Sequence, residues 1–356
     1  MRVTDDKTHV AIPRFKMAAS CADADALRCE LAAAASNGTV VLTATDTSPE
    51  FEELVDNWAC HLQRLSIPPL VWALDAATHR KLQSKARQRF GVRSIYSADL
   101  SLPERARPNE WKRPSSDEYT LAVALKPLVV LRVLRLGFDA LFLDVDIALS
   151  ADPRPWLFRS PDASLQVSLN YDDRPNQQKV TGVPDLNTGV LYARHSARGV
   201  VALVEQWAKR TAERFDCPRR PPLWACGDQE QLTRLLKMCG WKPLSFDAAA
   251  RLDARNDAQE LPCGRLWKCS TCPSNEALRV DVLPPRRFAS GMSAGLWGRR
   301  WSNATNRWMG PHVLPADLYA FHPNFGGFAG GAKKATLQRL RFERGGGGGW
   351  CLRQKQ

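Results

Sequence analysis

Residues 138–146, Phe138-Asp-Ala-Leu-Phe-Leu-Asp144-Val-Asp146, decide how the chain folds: a short apolar run, Ala140 to Leu143, ends in two carboxylates separated by one residue. Four consecutive apolar residues read as a buried strand. In an open α/β sheet, ligands bind outside the carboxyl ends of the strands, which is where Asp144 and Asp146 must lie. A hard divalent cation takes oxygen ligands and commonly joins one or two carboxylates to substrate phosphates, so the pair predicts a site for Mn2+ or Mg2+. There the cation would neutralise a departing diphosphate. An isolated Asp-x-Asp is more often a strand or turn cap, and the position at the end of a buried strand reverses that preference.

The same alternation continues outward. Asp25 to Ser36 reads as an Ala-rich helix broken by Asn37-Gly38, and Thr39 to Thr43 as a strand. Thr47-Ser48-Pro49-Glu50 is a helix start leading into Phe51 to Leu65. Leu70 to Leu74 is a strand, Asp75 the N-cap of a helix reaching Phe90, and Val92 to Tyr96 a third strand. A Pro-rich loop over 101–116 precedes a long helix, Asp117 to Leu136. Ser164 to Leu169 and Gly189 to Ala193 are strand-like, and Ala197 to Phe215 and Asp228 to Met238 helical. Short strands alternating with helices predict an α/β fold: a mainly parallel, Rossmann-like sheet with helices on both faces and a Cys-rich C-terminal elaboration. The expected organisation is a loose segment over 1–24, one catalytic domain over 25–332 with a Cys-rich insert at about 217–272, and a mobile basic Gly-rich tail over 333–356.

Fifty Lys and Arg against 37 Asp and Glu give the 356-residue chain a charge of +13, which favours anionic partners. The arginines are dispersed rather than gathered with aromatics, which argues against nucleic acid. No run of about 18 apolar residues occurs and the N-terminus has no signal-peptide core, so no transmembrane helix is expected. Six of the ten cysteines (Cys217, Cys226, Cys239, Cys263, Cys269, Cys272) crowd one stretch, as disulfides of exported proteins do. Cys269-x-x-Cys272 alone is too little for a structural zinc site. Asn37-Gly-Thr39 and Asn303-Ala-Thr305 are glycosylation triplets. Phosphate-loop, nucleophile-elbow and His-Glu-x-x-His motifs are absent from the sequence.

Four segments in order, Lys126-Pro-Leu through Asp144-Val-Asp146, then Leu186-Asn-Thr-Gly-Val-Leu-Tyr192, Gly227-Asp-Gln229 and Phe321-His-Pro-Asn324, resemble the nucleotide-diphospho-sugar transferase domain of plant and algal GT-A glycosyltransferases, including cell-wall arabinosyl- and xylosyltransferases. The resemblance implies a GT-A fold and a metal-dependent transfer of a pentose or hexose from a nucleoside-diphosphate sugar, UDP-linked, to a glycan or glycoprotein acceptor with retained configuration. It implies Asp144, Asp146 and His322 as metal ligands, with Asp144 also meeting the nucleotide. Thr43, Ala44 and Thr45 would receive the nucleoside, and Lys126 would offset phosphate charge. Asn187, Thr188 and Gly189 would approach the sugar, while Asp228 and Gln229 would stand near the anomeric carbon as the catalytic pair. Each has a plainer reading: strand filling for Thr43 and Thr45, a solvated helix lysine for Lys126, a turn for Asn187-Thr188-Gly189, an N-cap for Asp228, and a surface turn for His322. Related enzymes are held in the Golgi by an N-terminal membrane helix; with the clustered cysteines this implies a lumenal catalytic part, although the chain shows no anchor. The competing function is a non-catalytic basic protein on the same fold that binds glycans or nucleic acid. Two carboxylates aimed at a pocket argue against it.

Overall fold

The computed structural model describes residues 21–46, 49–84, 90–102, 117–170, 185–213, 227–242, 257–261, 278–290, 300–302, 307–309, 313–314, 317–323, 330–342, 349 and 351. The Pro-rich loop after residue 102, the insert cysteines other than Cys239, the Asn303 triplet and Asn324 lie outside them.

Five strands carry the apolar runs of the sequence: β1 (Thr39–Thr45), β2 (Leu70–Ala73), β3 (Arg93–Ile95), β4 (Asp139–Leu143) and, after the short β5 (Ala148–Leu149), β6 (Leu165–Asn170). With β7 (Asp185–Ala193), β8 (Asp257–Leu261) and β9 (Leu278–Val282) they build an eight-stranded sheet ordered β3-β2-β1-β4-β7-β6-β9-β8. β7 and β8 pair antiparallel with each neighbour and the remaining pairings are parallel, so six of the eight strands share one direction. The mainly parallel sheet is therefore present, with reversed strands only in its second half.

Side chains of successive strand residues face opposite ways, and the two layers of core follow that period. Val40, Leu42, Ala140 and Phe142 join one cluster, under α1 (Cys21–Ala34), α4 (Asp117–Arg135), α6 (Arg198–Ala212) and α7 (Asp228–Met238). Val41, Leu141 and Leu143 join the other, under α2 (Pro49–Arg64). Asp75 does cap the following helix, accepting from the Thr78 N–H at 2.7 Å, but α3 (Ala76–Gln83) closes at Ser84 instead of reaching Phe90. The four-residue α5 (Arg154–Leu157) and the short strands β10 (Phe288–Ser290), β11 (Arg300–Ser302), β12 (Arg307–Met309) and β13 (Val313–Leu314) lie outside the main sheet. β14 (Ala320–His322) is parallel to β10 and antiparallel to β5.

The described residues of the tail are packed, while Gly345 to Gly348, on which its expected mobility rests, lie outside the described residues. α8 (Gly330–Arg339) buries Leu337, and Leu340 beyond it, in the second core cluster, and β15 (Arg341–Phe342) pairs with β13. Further on, the Gly349 carbonyl accepts from Asn57 Nδ2 at 3.1 Å and lies 3.0 Å from His61 Nε2, and the Cys351 N–H donates to Asn57 Oδ1 at 2.6 Å. A side chain on Gly349 would stand 2.9 Å from the Leu337 carbonyl oxygen, so the backbone approaches α8 as only glycine permits. A Cys60–Cys351 disulfide closes this clasp across 291 residues of chain. Burial pushes the His61 imidazole down to about 4, so the ring is neutral at ordinary pH. Because its partner is a carbonyl, Nε2 carries the proton.

Candidate active site

The Asp144–Asp146 turn leaves the carboxyl end of β4, at the centre of the sheet. The Ile147 N–H returns to the Asp144 carbonyl at 3.0 Å, and the chain passes directly into β5. Since β5 pairs with β14 through Leu149↔Ala320 and Ala148↔Phe321, the residue that ends β14, His322, arrives beside the turn. Asp144, Asp146 and His322 each offer a ligand atom within 4.8 Å of the others. Local strand pairing thus assembles a triad whose members are nearly 180 residues apart in sequence.

Each carboxylate of the turn is divided between a lysine and His322. Asp144 gives Oδ1 to Lys126 Nζ at 2.7 Å while Oδ2 lies 3.6 Å from His322 Nε2. Asp146 gives Oδ2 to Lys333 Nζ at 2.5 Å while Oδ1 lies 3.2 Å from the same His322 nitrogen. One oxygen of each Asp and the His322 Nε2 therefore surround one point, with a lysine behind each acid. Burial would raise the Asp146 carboxyl, but the Lys333 ammonium and the adjoining His322 outweigh it and hold the group far below the usual carboxylate range. Two carboxylate oxygens and an imidazole nitrogen are a donor set able to hold a metal ion, whereas a soft metal would prefer thiolates.

Lys126 links this triad to a second group. Its Nζ lies 3.1 Å from Asp228 Oδ2 and 3.3 Å from Thr188 Oγ1, and the Thr188 hydroxyl donates to the same Asp228 oxygen at 2.7 Å. The ammonium sits 5.2 Å over the Phe142 ring. Burial lowers its pKa, but Asp144 and Asp228 together drive it well above the ordinary lysine value, so it stays charged. Lys126 is therefore an internal cation bridging two acids, not a solvated helix lysine. Asp228 is the first residue of α7 rather than its N-cap, which is Gly227. Its backbone carbonyl accepts from Trp207 Nε1 at 2.7 Å, locking the helix start to α6. Gln229 follows it, half-buried on the first turn.

Asn187, Thr188 and Gly189 lie inside β7 and form no turn connecting two elements. Opposite Ser168 the register slips, so that Val167 faces Leu191 while Ser168 faces Asn187, and residues 188–190 bulge out. Bulges beside active sites aim side chains, and this one directs Thr188 to Asp228 and brings the Gly189 carbonyl to the Asp144 N–H at 2.9 Å. Asn187 is 1% exposed, with Oδ1 accepting from the Gly189 N–H at 2.7 Å and lying 3.1 Å from His322 Nδ1.

The nucleoside candidates are less directly placed. The register Leu42↔Phe142 sets the end of β1 beside the Asp144–Asp146 turn, but Thr43 is fully buried and its hydroxyl has no partner among the described residues. Ala44 packs against the first core cluster, and Thr45 bonds only weakly to the Asp46 carbonyl. None of the three has a described contact with the triad. Lys333 is the site residue that sequence reading passed over, because a Gly-rich, basic stretch suggests mobility.

Among curated proteins, the chain is 27% identical over 184 residues to "Beta-arabinofuranosyltransferase RAY1" of Arabidopsis thaliana, a match covering 49% of this chain and 30% of that protein; the chain thus spans about a third of this relative's length. Solved structures with distant likeness include mouse xyloside xylosyltransferase 1, 14% identical, covering 56% of this chain and 81% of that one at a TM-score of 0.36. The glycosyltransferase GlyE of Streptococcus pneumoniae TIGR4 is likewise 14% identical, covering 72% of this chain and 48% of its own at a TM-score of 0.36. The family model for nucleotide-diphospho-sugar transferases matches residues 67–324, spanning both the Asp144–Asp146 turn and His322, and the chain belongs to that family.

Proposed function

We propose that the chain is a metal-dependent glycosyltransferase moving a pentose or hexose from a UDP-linked sugar to a glycan or glycoprotein acceptor, with retention of configuration. The observation that carries this reading is the convergence of Asp144, Asp146 and His322 at the carboxyl edge of the sheet. These residues would hold Mn2+ or Mg2+, and such an ion supplies charge neutralisation to a leaving diphosphate. Asp144, Asp146 and Asp228 against Lys126 and Lys333 leave a formal charge of minus one, which a divalent cation turns to plus one. An anionic donor is then attracted only after the cation is in place.

The chain's own residues supply the rest. Lys126 and Lys333, both facing the turn, are fixed positive charges for the phosphate oxygens. Asp228, kept in position by Thr188 and Lys126, offers a carboxylate to the positive charge that develops on the sugar as its bond to phosphate breaks, with Gln229 beside it. The acceptor hydroxyl passes its proton to the departing diphosphate on the same face, so no dedicated protein nucleophile is required.

The Cys60–Cys351 disulfide, with Cys239 also disulfide-bonded, supports residence in an oxidising secretory lumen such as the Golgi. No helix among the described residues is long and apolar enough to cross a membrane. No observation favours the competing basic binding protein. The test is release of free nucleoside diphosphate from a panel of sugar nucleotides, with and without manganese. Manganese-dependent release from a single UDP-sugar is expected; failure of every donor to bind in the presence of the metal would end the transferase reading.

A further inference from the structure

We propose that Asn187 is a positioning residue for His322: it fixes the imidazole as the Nδ1–H tautomer and presents the Nε2 lone pair to the cation shared with Asp144 and Asp146. The inference rests on the cation-site reading above and assigns Asn187 a role other than sugar contact.

The orientation of the amide is set independently of the histidine. The Gly189 backbone N–H can only donate, so the Asn187 atom 2.7 Å from it must be the carbonyl oxygen. That oxygen then faces His322 Nδ1 at 3.1 Å as an acceptor, which places a proton on Nδ1. In the neutral ring Nε2 then keeps its lone pair, and it stands 3.2 Å from Asp146 Oδ1 and 3.6 Å from Asp144 Oδ2. Histidine ligands are commonly oriented in this way through their other nitrogen.

Two features make the arrangement rigid. The Ser168 hydroxyl lies 2.8 Å from the Asn187 carbonyl and 3.4 Å from that of Val190, tying the neck of the bulge on both sides. The His322 ring lies so close to the bulge that a Cβ on Gly189 would be 2.4 Å from Nδ1 and 2.8 Å from Asn187 Oδ1. A side chain at position 189 is therefore excluded by the ring and its partner together. Asn187 Nδ2, buried and without a partner among the described residues, is all that the amide has left for a substrate.

The experiment is Mn2+ affinity of the full chain by electron paramagnetic resonance, a readout that needs no turnover. Asn187→Leu, close in size but with no acceptor, is expected to weaken Mn2+ binding by about 10–100-fold. Asn187→Asp keeps the acceptor toward both N–H groups and is expected to bind Mn2+ at least as tightly as wild type. Equal binding by wild type and Asn187→Leu, or equal loss in both variants, overturns the proposal. If Asn187→Leu does not fold, the wild-type tautomer decides: with Mg2+ bound, 15N-histidine NMR should show His322 protonated at Nδ1, assigned by the signal lost in His322→Gln. Protonation at Nε2 overturns the proposal. A wild-type protein that binds no divalent ion removes the cation site itself, an outcome distinct from the variants matching a wild type that does bind.

Discussion

Asp146→Ala is expected to lower manganese-dependent nucleoside diphosphate release by on the order of 10^3-fold, because a metal that stabilises the leaving charge contributes several kcal/mol and each 1.4 kcal/mol is about tenfold. Asp146 is 2% exposed and its two oxygens face Lys333 and His322. Alanine thus removes a proposed ligand and also takes the Asp146 carboxylate from the half-buried Lys333 ammonium, which lowers stability as well. Asp146→Asn keeps the shape and removes the charge, and should show the same loss of turnover with a melting temperature nearer wild type. Steady-state assays over a manganese titration check this. Activity of Asp146→Asn within tenfold of wild type at saturating metal would remove the turn from the chemistry.

Breaking the clasp has the second largest expected effect. Replacing both Cys60 and Cys351 by Ser should cost about 2–4 kcal/mol and lower the melting temperature by roughly several degrees, since the bond ties segments 291 residues apart. The effect should extend to the donor, because α8, which the clasp holds on α2, carries Lys333 to Asp146. The donor KM is therefore expected to rise several-fold in the double variant. An unchanged KM alongside a lower melting temperature would confine the clasp to stability. The same clasp should be acid-sensitive. His61 is neutral when folded, with its pKa lowered by burial to about 4 from 6.5. Between those values the unfolded chain binds the extra proton, so the stabilisation is complete above pH 6.5 and is lost as pH falls toward 4, amounting to roughly 3 kcal/mol. A pH series of melting temperatures should show this fall in wild type and a flatter profile in His61→Gln.

What could be read from the sequence was what local pattern encodes. The Ala140–Leu143 run, its terminal acids and the alternation of helices and strands depend on neighbours in the chain, so β1, β2, β4 and α7 fall within a few residues of their expected limits. His322 was accessible only through its resemblance context, since a histidine at the end of a three-residue strand has no pattern of its own. The role of Lys126 as an internal bridge needed Asp228 and Thr188 in place. The Asn187 geometry depends on a bulge in which β7 slips against β6, an event of pairing and not of composition. The tail was the least legible: at Gly349 a glycine allows close backbone contact, and neither Cys351 nor Lys333 announces a partner so far away in the chain.

The most direct test of the central claim is calorimetric titration of UDP into the unmodified chain, with and without manganese. With three acids against two lysines in the metal-free site, UDP should bind measurably only when manganese is present, and the Asp146→Asn variant should lose that dependence along with the binding. UDP binding of equal affinity in the presence of a chelator would contradict a site in which Asp144, Asp146 and His322 join a cation to the diphosphate.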